Sequence, residues 1–271
     1  MTKILSKDQK IFFKDNGFLF PIKIMSKARA SSYRKKLEDY EKSSGGVISG
    51  NDRHKSHLLF KWVNEIVNNN KILDAIEDVL GPNILCWSSN FFIKEANDNM
   101  FVSWHQDSEY WGLQPDDVVT AWIALSEANI KTGPMEVIPK SHKWKNINHI
   151  ETFNKNNLLS RGQELDINLS NYDTKAMPLK AGEISLHHVK LAHSSKINTS
   201  QDRRIGIAIR YTTPEVKQTK AIDTKDSALL VRGEDKYNNF IHEFPPKFDL
   251  DKNAIANHKT ISEAHNKILM N

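Results

Sequence analysis

The sequence predicts a mainly β fold with flanking helices, of the α+β class, built as a sandwich or jelly roll within one domain spanning residues 1–271. Three observations predict it. Six short segments, ILCWSSNFFIKE, FVSWHQD, VVTAWIALSE, MEVIP, KAMPLKAGEISLHH and RRIGIAIRYTT, are rich in β-branched and aromatic residues and separated by Gly, Pro, Asn or Asp. The stretches before and after them carry apolar residues at helical rather than alternating spacing. With 271 residues and 39% hydrophobic content, the chain can bury one sizeable core.

The elements follow in order. Residues 1–82 read as helical. Ser6 caps KDQKIFFKDNG, which stops at Gly17 and offers Phe12 and Phe13 for inward packing. A second helix with a charged face runs from Met25 to Ser43 and is broken by Ser44-Gly45-Gly46. From His57 to Leu80, the residues Leu59, Val63, Ile66, Ile72, Ile76, Val79 and Leu80 recur at helical spacing, and Gly81-Pro82 ends the run. The jelly-roll core occupies 83–215. Inside it, residues 143–172 are polar, irregular and dense in Asn and Lys, which marks a flap beside a site. Residues 216–271 form a lid that ends in a helix from Asp251 to Met270. No repeat period is visible.

Composition excludes several classes. No apolar run of about 18 residues exists, so no transmembrane helix is expected. The N-terminus lacks the apolar centre of a signal peptide, and the single Cys86, expected as a small buried hydrophobe, allows no internal disulfide; both fit a cytoplasmic location. The net charge of +5 is spread along the chain without a block of five like charges. Nucleic acid is therefore not the expected partner, whereas a small anionic molecule suits a basic field. Oligomeric state cannot be read from this sequence.

The chemistry centres on SWHQDSEYW. His105 and Asp107 are two apart, so on a strand they project from one face while Gln106 faces away. LHHVKLAHSS offers His187, His188 and His193 as a third metal ligand. Two histidines and a carboxylate with open coordination positions describe the facial triad of non-heme Fe(II) oxygenases, and zinc enzymes use similar donors. If the open positions hold 2-oxoglutarate, its far carboxylate needs a bidentate partner, for which arginine is suited. Arg204 lies eleven residues after His193, and Arg204, Gly206, Ala208 and Arg210 share one strand face, on which the two small residues would leave room for a ligand. Arg203 is the rival; strand parity favours Arg204.

WHQD, VVTAWIAL, GPMEVIPKSHK, AGEISLHH and AHSSKINTSQDRR, in that order from about Asp15 to about Tyr211, resemble the phytanoyl-CoA dioxygenase family of Fe(II)/2-oxoglutarate oxygenases. The resemblance implies a cupin-like double-stranded β-helix, Fe(II) and O2 chemistry, and iron bound by His105, Asp107 and His193. It further implies that Arg204 grips the 2-oxoglutarate C5 carboxylate, with Ser195, Trp122 and Gln106 at the cofactor pocket. HQDSEYWGL and LVRGEDKYNNF resemble the branch containing chlorinating enzymes. Those enzymes have a small residue where this chain has Asp107, so hydroxylation is expected here rather than halogenation.

The expected substrate is a small zwitterion or anion, an amino acid or an aminoalkylphosphonate. Tyr110 would act as a cation–π partner of its amine, Glu109 as the amine's counter-charge, Arg210 as its anion's partner and Arg232 as a lid contact. His187 and His188 are expected in packing or supporting positions, and His142 in a turn. A carrier-tethered amino acid, and desaturation or epimerisation, are alternatives within the family. A metal-dependent hydrolase and a non-catalytic jelly-roll module are alternatives outside it; neither needs Arg204.

Overall fold

The computed structural model describes residues 3–145, 147–159, 162–221 and 223–270, with residues 269 and 270 described by backbone alone. Asn146, Ser160 and Arg161 of the expected flap, and Ile222 and Asn271 of the expected lid, lie outside the described residues. A seven-stranded sheet runs in the order Phe18–Lys23, Glu183–His188, Val118–Ala124, Arg204–Thr212, Ile84–Lys94, Ser227–Arg232 and Ile241–His242, antiparallel except for the last pair. A four-stranded antiparallel sheet faces it, ordered Val102–His105, His193–Ser195, Met135–Val137 and Lys175–Met177. The two open sheets make the jelly roll that the strand pattern predicted.

Side-chain alternation sorts the large sheet into two faces. In the strand Arg204–Thr212, the residues Ile205, Ile207, Ile209 and Tyr211 join Leu37, Trp62, Ile66, Ile72 and Ile76 of the N-terminal helices in one core. Burial of each isoleucine stabilises the fold by roughly 1.5–3 kcal/mol. The other face carries Arg204, Ala208 and Arg210, and beside them Thr120, Trp122, His187, Asn90 and Phe92, all lining a cavity between the sheets. The register slips between Arg210 and Tyr211, so that Arg210 pairs with Ser88 and Tyr211 with Cys86. Ser88, Asn90, Phe92 and Lys94 stay in regular register with the cavity face, and the bulge beyond them turns Cys86 to the helix side beside Tyr211. Cys86 is fully buried in the helix-side core.

Several expectations change in detail. The first helix, Lys7–Asn16, buries Phe13 but leaves Phe12 at 43% exposure, because consecutive helical residues do not share a face. The second is Lys27–Ser44, capped by Ser26. The single run expected from His57 to Leu80 is three pieces: a 3-10 turn Ser56–Leu58 and helices Lys61–Val67 and Asn70–Leu80. Asn69 restarts the chain by accepting from the amides of Lys71 and Ile72, a cap that competes with continuing the helix. The 143–172 segment is more ordered than a plain loop. It contains the hairpin His149–Glu151 with Gln163–Leu165 and docks on the small sheet, where the Ser103 hydroxyl donates to the Gln163 carbonyl and Asn157 donates to Ser103 at 2.7 Å. The closing helix, Lys252–Met270, turns His258, Ser262, His265 and Ile268 inward. No helix among the described residues is long and apolar enough to cross a membrane.

Candidate active site

Antiparallel register sets His193 directly opposite His105, which brings their rings to 4.1 Å between centroids. The strand ends at His105, so Asp107 does not sit on it as strand parity supposed. It opens the helical turn Ser108–Trp111. Its carboxylate nevertheless returns to the same point, with Oδ1 3.4 Å from His105 Nε2. One donor atom from each of His105, Asp107 and His193 lies within 4.8 Å of the others, and all three residues are buried. Each histidine commits Nδ1 to a main-chain carbonyl two residues back, His105 to Ser103 and His193 to Leu191, both at 2.9 Å. That leaves both Nε2 atoms as lone-pair donors aimed inward, the tautomer a metal requires.

The electrostatics fit the same donor set. Burial pushes the His193 imidazole down to about 4, with repulsion from His105 adding to it and Asp107 opposing it. Burial alone would raise Asp107, but its contact with His105, the neighbouring His193 and the Arg210 charge hold its carboxyl well below the usual carboxylate range. A neutral imidazole and an ionised carboxylate are the forms that bind a cation. His188 is likewise pushed down to about 4, and His187 and His54 well below the ordinary value, in every case chiefly by burial. An unfolded histidine titrates near 6.5, so the unfolded chain gains protons that the native one refuses. The stability these groups contribute is present above about pH 6.5 and lost as pH falls toward 4. Metal-free protein is expected to lose at least about 2 kcal/mol between roughly pH 7.5 and pH 5 in urea unfolding.

Deeper in the cavity, Arg204 is 3% exposed, donates from Nη1 to the Gly133 carbonyl at 2.7 Å and lies 5.3 Å over the Trp122 ring. Its Nε has no partner among the described residues, and burial pulls the guanidinium down to about 10. Arg203 points away, paired with Glu41 and Glu95. The space expected beside Gly206 is not vacant: a Cβ there would stand 2.0 Å from Trp122 Cζ2. The glycine admits the indole that supports the arginine, and the ligand's room lies beyond it. Gly206→Ala is expected to displace that ring, lower stability by about 1–3 kcal/mol and weaken binding of the diacid expected at Arg204. Thermal unfolding and ligand titration of the variant check both effects.

Sequence reasoning missed Lys94. It pairs across the sheet with Arg204, is fully buried, and donates to the Ser195 hydroxyl at 2.7 Å and to the carbonyls of Ser195 and Lys196. Burial, then the Arg204 charge, lowers its ammonium to about 6. Its signal was its phase with Asn90 and Phe92 on a strand otherwise fit for a core. His187 was expected to do no more than pack or support. It lines the cavity, with Nε2 4.0 Å from Asp107 and its ring 4.8 Å from that of His193. His188 instead lies against His142, outside the cavity.

The remaining candidates divide. Ser195, Trp122, Tyr110 and Arg210 line the cavity of about 620 Å³ together with the triad and Arg204. Gln106 does not line it; its amide donates to the Lys190 carbonyl and holds the neighbouring loop. Glu109 is exposed, because the helical turn after Asp107 swings it outward. Arg232 is paired with Asp74 and Glu77 at 2.7 and 2.8 Å, which ties its strand to the helix Asn70–Leu80 and removes it from the candidates for substrate contact.

Comparison with known proteins gives concordant matches. A model of the family described as phytanoyl-CoA dioxygenase matches residues 13–206. A probable alpha-ketoglutarate-dependent hypophosphite dioxygenase of Stutzerimonas stutzeri is 30% identical over 237 residues, 77% of this chain and 79% of that protein. L-proline trans-4-hydroxylase of Streptomyces griseoviridis is 24% identical over 200 residues, 66% of this chain and 72% of that one. The solved structure of the apo non-heme monooxygenase ThoJ is 31% identical, with a TM-score of 0.85 over 97% of each chain.

Proposed function

Because this chain belongs to the phytanoyl-CoA dioxygenase family of Fe(II)- and 2-oxoglutarate-dependent enzymes, we propose that it hydroxylates a small acidic substrate, with His105, Asp107 and His193 holding iron and Arg204 gripping 2-oxoglutarate. The observation that carries this assignment is the convergence of two inward Nε2 atoms and one carboxylate on a point in the cavity that Arg204 also lines. Bound there, Fe(II) with 2-oxoglutarate supplies the oxidising chemistry that consumes O2 and releases succinate and CO2.

The protein's own residues do the rest. Three donors from one side leave the opposite coordination positions open. Arg204 would present a planar fork to the far carboxylate, with the Ser195 hydroxyl and the Lys94 amine beside it. Phe92, Val102, Tyr110, Trp111, Leu158 and Leu159 wall the cavity and keep water from the reacting bond. The substrates in the names of two relatives, the anion hypophosphite and the zwitterion L-proline, are both small and each carries an acid group, which supports a small substrate with an acid group here. Purified protein given Fe(II), 2-oxoglutarate and O2 is expected to release succinate, and to release none when iron or O2 is withheld. Hydrolysis supported by zinc without 2-oxoglutarate would overturn the reading.

A further inference from the structure

The strand Arg204–Thr212 carries a second buried arginine at its other end, six residues from the first. Arg210 is 8% exposed and lines the same cavity. Its guanidinium lies 4.9 Å over the Trp111 ring and 5.7 Å over that of Phe92, and its one hydrogen bond among the described residues is a long contact of 3.5 Å to the Ser88 hydroxyl. No carboxylate pairs with it among the described residues. Cross-strand register sets it beside Thr120, and Thr120 beside His187, so the three form a row across three adjacent strands. Each has a buried polar atom with no partner among the described residues: Arg210 Nε, Thr120 Oγ1 and His187 Nδ1. Orphaned buried donors of this kind are rare unless something else satisfies them.

Charge points to the same occupant. Among the described residues, the cavity is lined by Arg53, Arg204 and Arg210 but by one carboxylate only, Asp107. A divalent iron and a doubly charged 2-oxoglutarate cancel each other, so loading leaves that positive excess in place. Among the described lining residues, no carboxylate other than Asp107 is there to neutralise an ammonium group. The faces of Trp111 and Phe92 are taken by Arg210 and that of Trp122 by Arg204, which leaves Tyr110 as the lining ring that neither arginine covers. Glu109, expected from the sequence to meet the amine, is exposed and outside.

We infer that Arg210, Thr120 and His187 form an oxyanion subsite that binds the acid group of the primary substrate, and that this substrate carries no ammonium group. The inference rests on the Fe(II)/2-oxoglutarate reading above and narrows the substrate class from zwitterions to plain oxyanions, carboxylate, phosphonate or phosphinate. Arg53 and the Asn90–His54 pair, hydrogen-bonded at 2.9 Å, line the same cavity.

The test is anaerobic calorimetric titration of protein saturated with Fe(II) and 2-oxoglutarate. The ligands are matched acids: pentanoate against norvaline, propylphosphonate against aminopropylphosphonate, and hypophosphite as the smallest oxyanion. At least one amine-free acid is expected to bind, and to bind about tenfold or more tighter than its amino partner, since the amino form buries an unpaired charge. The pair that binds best distinguishes a carbon acid from a phosphorus acid. Arg210→Met is expected to weaken that acid by about 30-fold or more, the scale of losing one member of a buried charge pair, while 2-oxoglutarate affinity, measured in the same protein, stays unchanged. Amino acids binding as tightly as their amine-free partners, an Arg210→Met protein that keeps full affinity, or no anion binding while 2-oxoglutarate does, would each overturn the subsite. Absence of 2-oxoglutarate binding in the wild type would instead remove the reading on which the subsite rests, and the subsite with it.

Discussion

Asp107→Asn is expected to abolish succinate formation, by more than about 100-fold, while the chain still folds. Loss of an outer-shell partner alone costs a metal site 10- to 100-fold, and Asp107 is the one anionic donor of the three. The amide keeps the shape of the carboxylate but not its charge, so the buried His105 and His193 rings would face the metal without a compensating anion. Iron affinity, followed by titration of the metal-free protein, should fall in parallel. Full activity in Asp107→Asn would show that the metal binds elsewhere.

The second large effect is expected at Arg204. Arg204→Met should raise the dissociation constant for 2-oxoglutarate by about 30-fold or more, because a buried carboxylate would lose its fork. Arg204→Lys should recover only part of the loss. A point charge cannot reproduce the bidentate geometry, and the new side chain would stand beside the buried Lys94. In the absence of ligand the sign reverses. Arg204 is a buried cation bonded to one carbonyl, and replacing such a charge by an apolar side chain of similar volume is often neutral or stabilising. Arg204→Met is therefore expected to melt no lower than wild type without 2-oxoglutarate and to gain much less from adding it.

Much of this site was legible because it is written in local periodicity. His105, His193, Arg204 and Arg210 lie on strands whose alternation decides which way they point, and parity alone separated Arg204 from Arg203. Asp107 converges with the histidines although the strand stops before it, so the parity argument anticipated the convergence through the wrong local conformation. What parity does not reach is the neighbouring strand. Lys94 and Thr120 acquire their places from cross-strand register, Lys94 opposite Arg204 and Thr120 opposite Arg210, which no single segment announces. The fate of Gln106, Glu109 and Arg232 depends on what lies across from them: a loop carbonyl, solvent, and two acidic residues of a distant helix. The division of the 57–80 run came from Asn68-Asn69-Asn70, where capping chemistry outweighed an uninterrupted apolar stripe.

The two arginines at either end of one interior strand have an evolutionary corollary. Six residues of extended chain span about 20 Å, and a strand hydrogen-bonded on both sides cannot stretch or slip to alter that length. The spacing between the two arginines is thus inherited as a unit, whatever happens in the 143–172 segment or the turn around Arg53. If the two hold the ligands proposed for them, descendants of this sequence could change the rim without moving either one relative to the other.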